Sequence, residues 1–384
     1  MLLSHRNLRG GIRRVNRPLF HLLFVTVLTT VFAEKPVFAP YGFVKGDFYY
    51  TSGGVYSGGV MTKGRPALTA ACQATGSDTS AIGFTAQHSR VGLRGSGTAG
   101  SVGVGGQMEM DFFVIAANSN ARPRLRLAYA WCAPLRGFEV RIGQQWDAVG
   151  PLNPTTANTN ANMWYTGNYG ARRPCFEVQY SLSRAVVRPM VQASIGEAAR
   201  EDESSSLIGA DNLSRVPMMQ VRIAAQIVQK FEVGAGGLYA AHGSDRSLTT
   251  RGMIFDASLP IHKLLGVKGE LGVGSNLNNV NLSTVGGDGS DSAGDVRTVG
   301  FWGEATSMPL SFLTVVIGAG SEIVRSHVAM GAISSNTAGY GDLVFTIGGH
   351  FSVVVEYELL RTRIAGRSDP NIAHVIDIAG KVAF

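Results

Sequence analysis

Cysteine is scarce in this chain of 384 residues: Cys72, Cys132 and Cys175 are all there is. Three widely spaced thiols, an odd number, argue against a disulfide framework and against a structural zinc site. They read as incidental, with Cys175 a candidate for an interior face. Charge is sparse as well, at 16% of residues. The formal net charge of +7 is mostly a property of one end, because residues 1–33 hold five of the 34 basic residues and none of the 27 acidic ones. Removing that segment leaves 29 basic against 27 acidic residues. No concentrated basic face survives, which excludes nucleic acid as the expected partner.

Long apolar runs are missing too, apart from residues 19–31. Arg6, Arg9, Arg13, Arg14 and Arg17 precede that run, and Val31-Phe32-Ala33 follows it with residues a signal peptidase accepts. A membrane helix needs about 20 apolar residues, and this run stops at Glu34 and Lys35. We therefore expect residues 1–33 to be a signal peptide and residues 34–384 to form one domain.

Catalytic patterns are absent in the same sense. His88 and Ser89 are neighbours on opposite faces of a strand and cannot pair as base and nucleophile. His242, His262, His327, His350 and His374 have no metal-ligand spacing. The glycine pairs Gly105-Gly106 and Gly236-Gly237 have no helix after them to make a dinucleotide loop. The run from Gly286 to Asp291 is one copy of a calcium-type repeat that needs several to stack. No catalytic residue, metal or cofactor is expected, and an enzyme is the least favoured reading.

What the chain does have is alternation. Counting back from the terminus, Phe384, Val382, Gly380, Ile378 and Ile376 share one face, and Ala383, Lys381, Ala379 and Asp377 the other. A period of two with one apolar and one polar side belongs to a strand between two environments. A terminal Phe on the apolar side resembles the closing signal of bacterial outer-membrane barrels. Similar segments recur along the chain, separated alternately by short turns and by long polar stretches, the economy of a barrel with about 16 strands. In a bilayer only a closed barrel leaves no strand edge unpaired. The expected fold is all-β: a transmembrane antiparallel β-barrel with an inward-folded constriction loop.

Several strands assign their faces. In one, Leu125, Leu127, Tyr129 and Trp131 are expected outward and Arg124, Arg126, Ala128 and Ala130 inward. In the next, Phe138, Val140 and Ile142 oppose Glu139, Arg141, Gly143 and Gln145. Phe176, Val178, Tyr180 and Leu182 oppose Arg173, Glu177, Gln179 and Ser181, and Met219, Val221, Ile223 and Ile227 oppose Gln220, Arg222 and Gln226. A soluble barrel would not bury those arginines. Arg124, Arg126, Arg141, Arg173, Arg188 and Arg222 should line one side of a wet interior, facing Glu356, Glu358 and Asp377 near the chain closure, with Asp47 beside Lys45. Opposed charge in a narrow channel orients polar solutes and selects them by sign, and guanidinium suits carboxylates because its planar donors match two oxygens. The alternative is that Asp111, Glu109 or Glu139 neutralises these arginines within the wall, and that Arg172 and Arg173 anchor a loop.

Residues 147–170 are rich in Asn and Pro, with Asp147 as their sole charge, and occupy the position where general porins fold a loop inward. Asp147, Asn153, Trp164 and Tyr165 are the candidate constriction residues. An external flap is the alternative.

The first half also carries ordered motifs: Tyr41-Gly42-Phe43-Val44-Lys45-Gly46-Asp47, Gln87-His88-Ser89-Arg90-Val91-Gly92-Leu93, Gly106-Gln107-Met108-Glu109-Met110-Asp111, Leu125-Arg126-Leu127-Ala128-Tyr129, Ile142-Gly143-Gln144-Gln145-Trp146 and Arg172-Arg173-Pro174. Together they resemble the DcaP-like outer-membrane porins over residues 41–182. The resemblance implies a homotrimer in the outer-membrane lipid of a Gram-negative-type bacterium, with an arginine-lined channel for dicarboxylates and similar anions. By motif position it carries over Arg90, Arg126 and Arg173. A structural or adhesive barrel with a plugged lumen is the competing function.

Overall fold

A computed structural model describes residues 36–52, 80–112, 123–157, 163, 166–182, 186–198, 216–227, 231–242, 248–262, 264–280, 282–283, 285–286 and 294–384. The leader, Cys72, Trp164, Tyr165 and most of residues 286–291 lie outside this set.

The described residues form one closed antiparallel sheet. Its strands are β1 (Val37–Thr51), β2 (Ala81–Thr85), β3 (Arg90–Ala99), β4 (Val102–Asp111), β5 (Arg124–Leu135), β6 (Phe138–Trp146), β7 (Arg172–Ser181), β8 (Val187–Gly196) and β9 (Val216–Ile227), then β10 (Phe231–His242), β11 (Leu248–His262), β12 (Leu265–Ser275), β13 (Arg297–Leu310), β14 (Leu313–Val324), β15 (Ile333–Ile347), β16 (Phe351–Ile364) and β17 (Asn371–Ala383). Each pairs with its chain neighbour, and β1 closes the ring on β17, with Lys45 opposite Lys381 and Phe48 opposite Ile378. The segments β2 and β3 both pair with β1 and make a single wall strand broken at residues 86–89, so the barrel has 16 staves. Ser89 fills the break, accepting from the Lys45 amide at 3.0 Å and donating to its carbonyl at 3.1 Å.

The barrel is apolar outside and polar within. Ile142, Ile223 and Ile317 are 61–66% exposed on the outer face, whereas Arg222, Glu356 and Asp377 on the inner face are 0–2% exposed. On β17, Ile376, Ile378 and Val382 are exposed outward, and Asp377 and Ala379 are buried inward. This inversion is stable where hydrocarbon surrounds the wall, because the strands of a closed ring satisfy one another's backbone groups and leave no open edge. Short connections such as residues 136–137, 311–312 and 348–350 lie at one end, with the start of β1 and the end of β17; the strand ends that the long connections join lie at the other. In membrane barrels the short-turn end is the periplasmic one.

One face assignment needs correction. The β4–β5 register slips between the pairs Glu109–Leu127 and Met110–Leu125, leaving Arg126 as an extra residue. Such a bulge reverses the facing of everything beyond it. Leu125 faces out and Arg124 and Arg126 in, as expected. Leu127, Tyr129 and Trp131, however, face in, and Ala128 and Ala130 out. The Tyr129 hydroxyl donates to Gln107 Oε1 at 2.9 Å across the lumen face, and Gln144 Nε2 caps the bulge by donating to the Leu125 and Arg126 carbonyls. Cys132 and Cys175 are free thiols; Cys175 is buried on the inner face, its Sγ 3.3 Å from the Gln145 side-chain amide.

Candidate constriction site

The connection after β6 runs inside the barrel. Its neck is clamped by Asp147, whose amide donates to the Ala171 carbonyl and whose carboxylate accepts from the Ala171 amide at 3.0 Å. The same carboxylate accepts from Arg173 at 2.6 and 2.8 Å and from Gln220 Nε2 at 2.6 Å. Arg173 also donates to the Glu197 and Val280 carbonyls. Gly150 and Gly170 face each other across the neck at φ values of 64° and 97°, and a Cβ on Gly170 would fall 2.2 Å from the Gly150 oxygen. Only glycine allows that approach.

Beyond the neck the loop leans on the far wall, and acidic side chains there hold it. Glu270 accepts from the Leu152 amide at 2.8 Å, the Tyr169 amide at 3.3 Å and the Trp302 indole at 2.9 Å. Glu304 accepts from the Thr155 amide and hydroxyl at 2.7 and 2.8 Å and from the Tyr340 hydroxyl at 2.5 Å. Glu356 accepts from the Ala157 amide at 2.7 Å, and Lys268 Nζ donates to the Asn153 carbonyl at 2.7 Å. Apolar contacts complete the seal: Met163 and Leu152 pack with Trp302, Tyr340, Leu360 and Val375, and Val149 and Tyr169 with Met218, Ile254 and Leu277. The Tyr169 ring lies where a Cβ on Gly272 would be, 2.4 Å from it.

The interior is therefore divided. On β11 to β16, inward residues such as Ile254, Glu270, Trp302, Val316, Asn336, Glu358 and Leu360 are buried beneath the loop. On β3 to β8, inward residues such as Arg94, Gln107, Tyr129, Glu139, Arg141, Gln179 and Gln192 are exposed or half-buried. Open space within the wall lies on the side of β1 and β3 to β8.

A cavity of about 290 Å³ sits where the loop tip meets that side. It is lined by Lys45, Arg90, Arg126 and Lys381 from the wall, by Phe43 and Trp146, and by Asn153, Pro154, Thr156 and Ala157 from the loop. None of its lining residues is acidic. Register explains the gathering: Lys45 is the cross-strand partner of Lys381 at the ring closure, and Phe43 is the partner of Arg90. The Arg90 guanidinium lies 5.3 Å from the Phe43 ring centre and the Lys381 ammonium 5.6 Å from the same ring, on a flat aromatic ledge.

Most of the arginines expected to guide solute hold carboxylates within the wall. Arg124 grips Asp111 at 2.8 and 2.9 Å. Arg126 bridges Glu109 at 2.7 Å and Asp111 at 2.9 Å, Arg141 binds Glu139 at 2.5 Å and approaches Glu177 at 3.5 Å, and Arg222 binds Asp256 and Glu232 at 2.6–2.9 Å. Arg173 is a neck clamp. Arg188 is exposed at the short-turn end, on the inward side beside Gln226. Arg90 is different: it lies 3.5 Å from Glu109, a carboxylate already bound by Arg126. Among the described residues three guanidinium groups, those of Arg90, Arg124 and Arg126, share two carboxylates, an excess of positive charge beside the cavity. Lys45 is paired with Asp47, which also takes the His88 imidazole at 3.2 Å. Lys381 has no carboxylate within 4 Å among the described residues, and Arg94 stacks 4.6 Å over the Tyr41 ring.

The acidic side also differs from the simple picture of an opposing wall. Asp342, Glu356 and Asp377 stand side by side across β15, β16 and β17, and Glu358 is paired with Tyr340. All four are buried beneath the loop, and Glu356 holds the loop tip. Lys381, in the sequence only one polar position of the last strand, joins the site. Its partnership with Lys45 depends on ring closure between residues more than 300 positions apart.

Releasing the loop is a direct test of this anchoring. Glu270→Ala leaves two loop amides and an indole without their acceptor, at about 1–3 kcal/mol for each donor that finds no other partner. We expect a properly assembled barrel with raised and noisier single-channel conductance; a conductance trace identical to the unsubstituted protein would show that the loop position does not depend on this carboxylate.

The same fold is known in solved structures. The outer-membrane channel DcaP of Acinetobacter baumannii superposes with a TM-score of 0.70 at 18% identity, covering 92% of this chain and 99% of that one. The anion-selective porin from Comamonas acidovorans gives 0.61 at 13% identity, covering 91% and 100%. A trimer form of OmpT, an outer membrane protein of Vibrio cholerae, gives 0.60 at 10% identity, covering 91% and 100%. At these identities the likeness is one of fold. No family model matches the chain, and no curated protein matches it.

Proposed function

We propose that this chain is an outer-membrane porin of a Gram-negative-type bacterium, passing small hydrophilic solutes by passive diffusion with a preference for anions such as dicarboxylates. The observation that carries this reading is the cavity between loop and wall with four basic side chains and no acidic one lining it. An aromatic ledge beside paired cations suits a planar carboxylate, which takes two donors at once while its carbon skeleton lies on the rings. Arg94 and Arg188 extend the basic track along the half of the interior that the loop leaves open. Transport of this kind is positioning and electrostatics, with no covalent step. An apolar outer belt, a polar inside and the fold shared with outer-membrane channels support the location. Residues 1–33 fit the leader such a location requires. A trimer form exists for a protein of the same fold, and a homotrimer is the assembly we propose here.

Liposome swelling tests the proposal. Vesicles containing the protein should admit a small dicarboxylate faster than an uncharged sugar of similar size, and both faster than protein-free vesicles. Vesicles that admit neither would favour a plugged structural barrel, a reading to which the extensive packing of the loop on the far wall gives some support.

A further inference from the structure

The outer wall carries a second feature that the pore does not use. Every Asp and Glu of the described strands faces inward, whereas Arg251, Arg297, Arg361 and Arg363 face outward, all near the long-loop ends of their strands. Arg251 is level with Ser275, which is level with Arg297, so the two arginines stand two strands apart, roughly 10 Å. Arg325 joins them, its amide donating to the Arg297 carbonyl at 2.7 Å. Among the described residues none of these three guanidinium groups has a carboxylate within 4 Å.

Directly below this row, toward the membrane centre, lies an external groove of about 720 Å³. Its floor is the next outward row, Val221, Gly237, Met253, Val273 and Val299, which are cross-strand partners in that order. Gly237 makes the hollow: a Cβ there would meet only the Gly252 oxygen, at 3.8 Å, so the space is open to a larger side chain. Tyr239 and Met219 border it.

We propose that this groove binds a phosphorylated glycolipid of the outer leaflet, its acyl chain along the apolar floor and its phosphate on Arg251, Arg297 and Arg325. The inference rests on the barrel lying in an outer membrane, as proposed above. Charge complementarity selects the occupant. A second copy of this chain would bring an outer wall whose described strands offer no carboxylate, so docking it here would strip water from the guanidinium groups without a counter-ion. Phosphate oxygens accept the planar guanidinium donors in pairs, and the step from arginine row to apolar floor matches the step from headgroup to hydrocarbon.

Native mass spectrometry of the detergent-purified full chain, titrated with bisphosphorylated lipid A, tests this. The unsubstituted protein should retain the lipid. Arg251→Gln, Arg297→Gln and Arg325→Gln combined should weaken retention by about tenfold or more, since each basic group near the headgroup plane contributes attraction. Gly237→Leu, which fills the groove and keeps the charges, should weaken it too. Equal retention by the triple variant, or equal retention of a fully dephosphorylated glycolipid with the same acyl chains, would overturn the proposal. So would competition by inorganic phosphate alone at millimolar concentration, which would mark a site for the free ion. Loss of the oligomer in the triple variant with lipid retention unchanged would show the groove to be an interface between copies. Single-channel conductance of the triple variant should be unchanged, because these side chains face away from the lumen; this separates failure of the lipid site from failure of the porin reading.

Discussion

Replacing Lys45, Arg90 and Lys381 together by Gln should abolish the anion preference proposed for this barrel. Each is a cavity-lining cation. A unit charge roughly 6 Å from a passing ion contributes about 0.7 kcal/mol even at the dielectric constant of water, attractive for an anion and repulsive for a cation. The difference between the two ions is then about 1.4 kcal/mol, roughly tenfold, for each charge removed before screening. Salt at about 0.1 M screens over about 10 Å, so the three substitutions together should lower the anion-to-cation permeability ratio by about tenfold or more. Asp47, left without Lys45, would then tip the channel toward cations. A ratio unchanged by the triple substitution would remove these residues from the selectivity mechanism. Arg126 is left out on purpose: it satisfies two buried carboxylates, and its loss would disturb the wall as well as the field.

The second large effect is on assembly. Asp147→Ala should lower the stability of the barrel by about 3–5 kcal/mol, the cost of leaving a buried charge without its partner. Arg173 is 3% exposed and its guanidinium makes two of its bonds to this one carboxylate. Gln220 and the Ala171 amide lose their acceptor in the same step. Asp147→Asn keeps an acceptor of the same shape and should cost less. Urea unfolding in detergent, followed by the loss of the heat-resistant folded band, measures both; an Ala variant within 1 kcal/mol of the parent would mean the neck does not depend on this pair.

The sequence disclosed those parts of the molecule that a membrane imposes on it. Alternation is readable along β6, β7, β9 and β17 because an outward polar residue would face hydrocarbon, so each strand reports its own two environments. It misleads on β5, where Arg126 is an extra residue opposite Glu109 and Met110. A bulge is a property of two strands and leaves no period in one. Pairing between arginines and acids is hidden for the same reason: Glu109, Asp111 and Arg126 meet through register, and a shift of one residue would part them. The loop was legible as an Asn- and Pro-rich stretch with one charge, but the carboxylates that hold it, Glu270, Glu304 and Glu356, lie 118 to 199 residues away in sequence. The acids read as a lumen wall facing the arginines turn out to lie beneath the loop, and Lys381 acquires its place only when the last strand meets the first.

The proposed pore is an open path lined by positive charge where the loop meets the wall. The zero-current potential of single channels in a KCl gradient, with the unsubstituted protein in a planar bilayer, measures that property directly. The sign expected is that of chloride carrying more current than potassium. A potential of the opposite sign, or a barrel that inserts and conducts nothing, would contradict it.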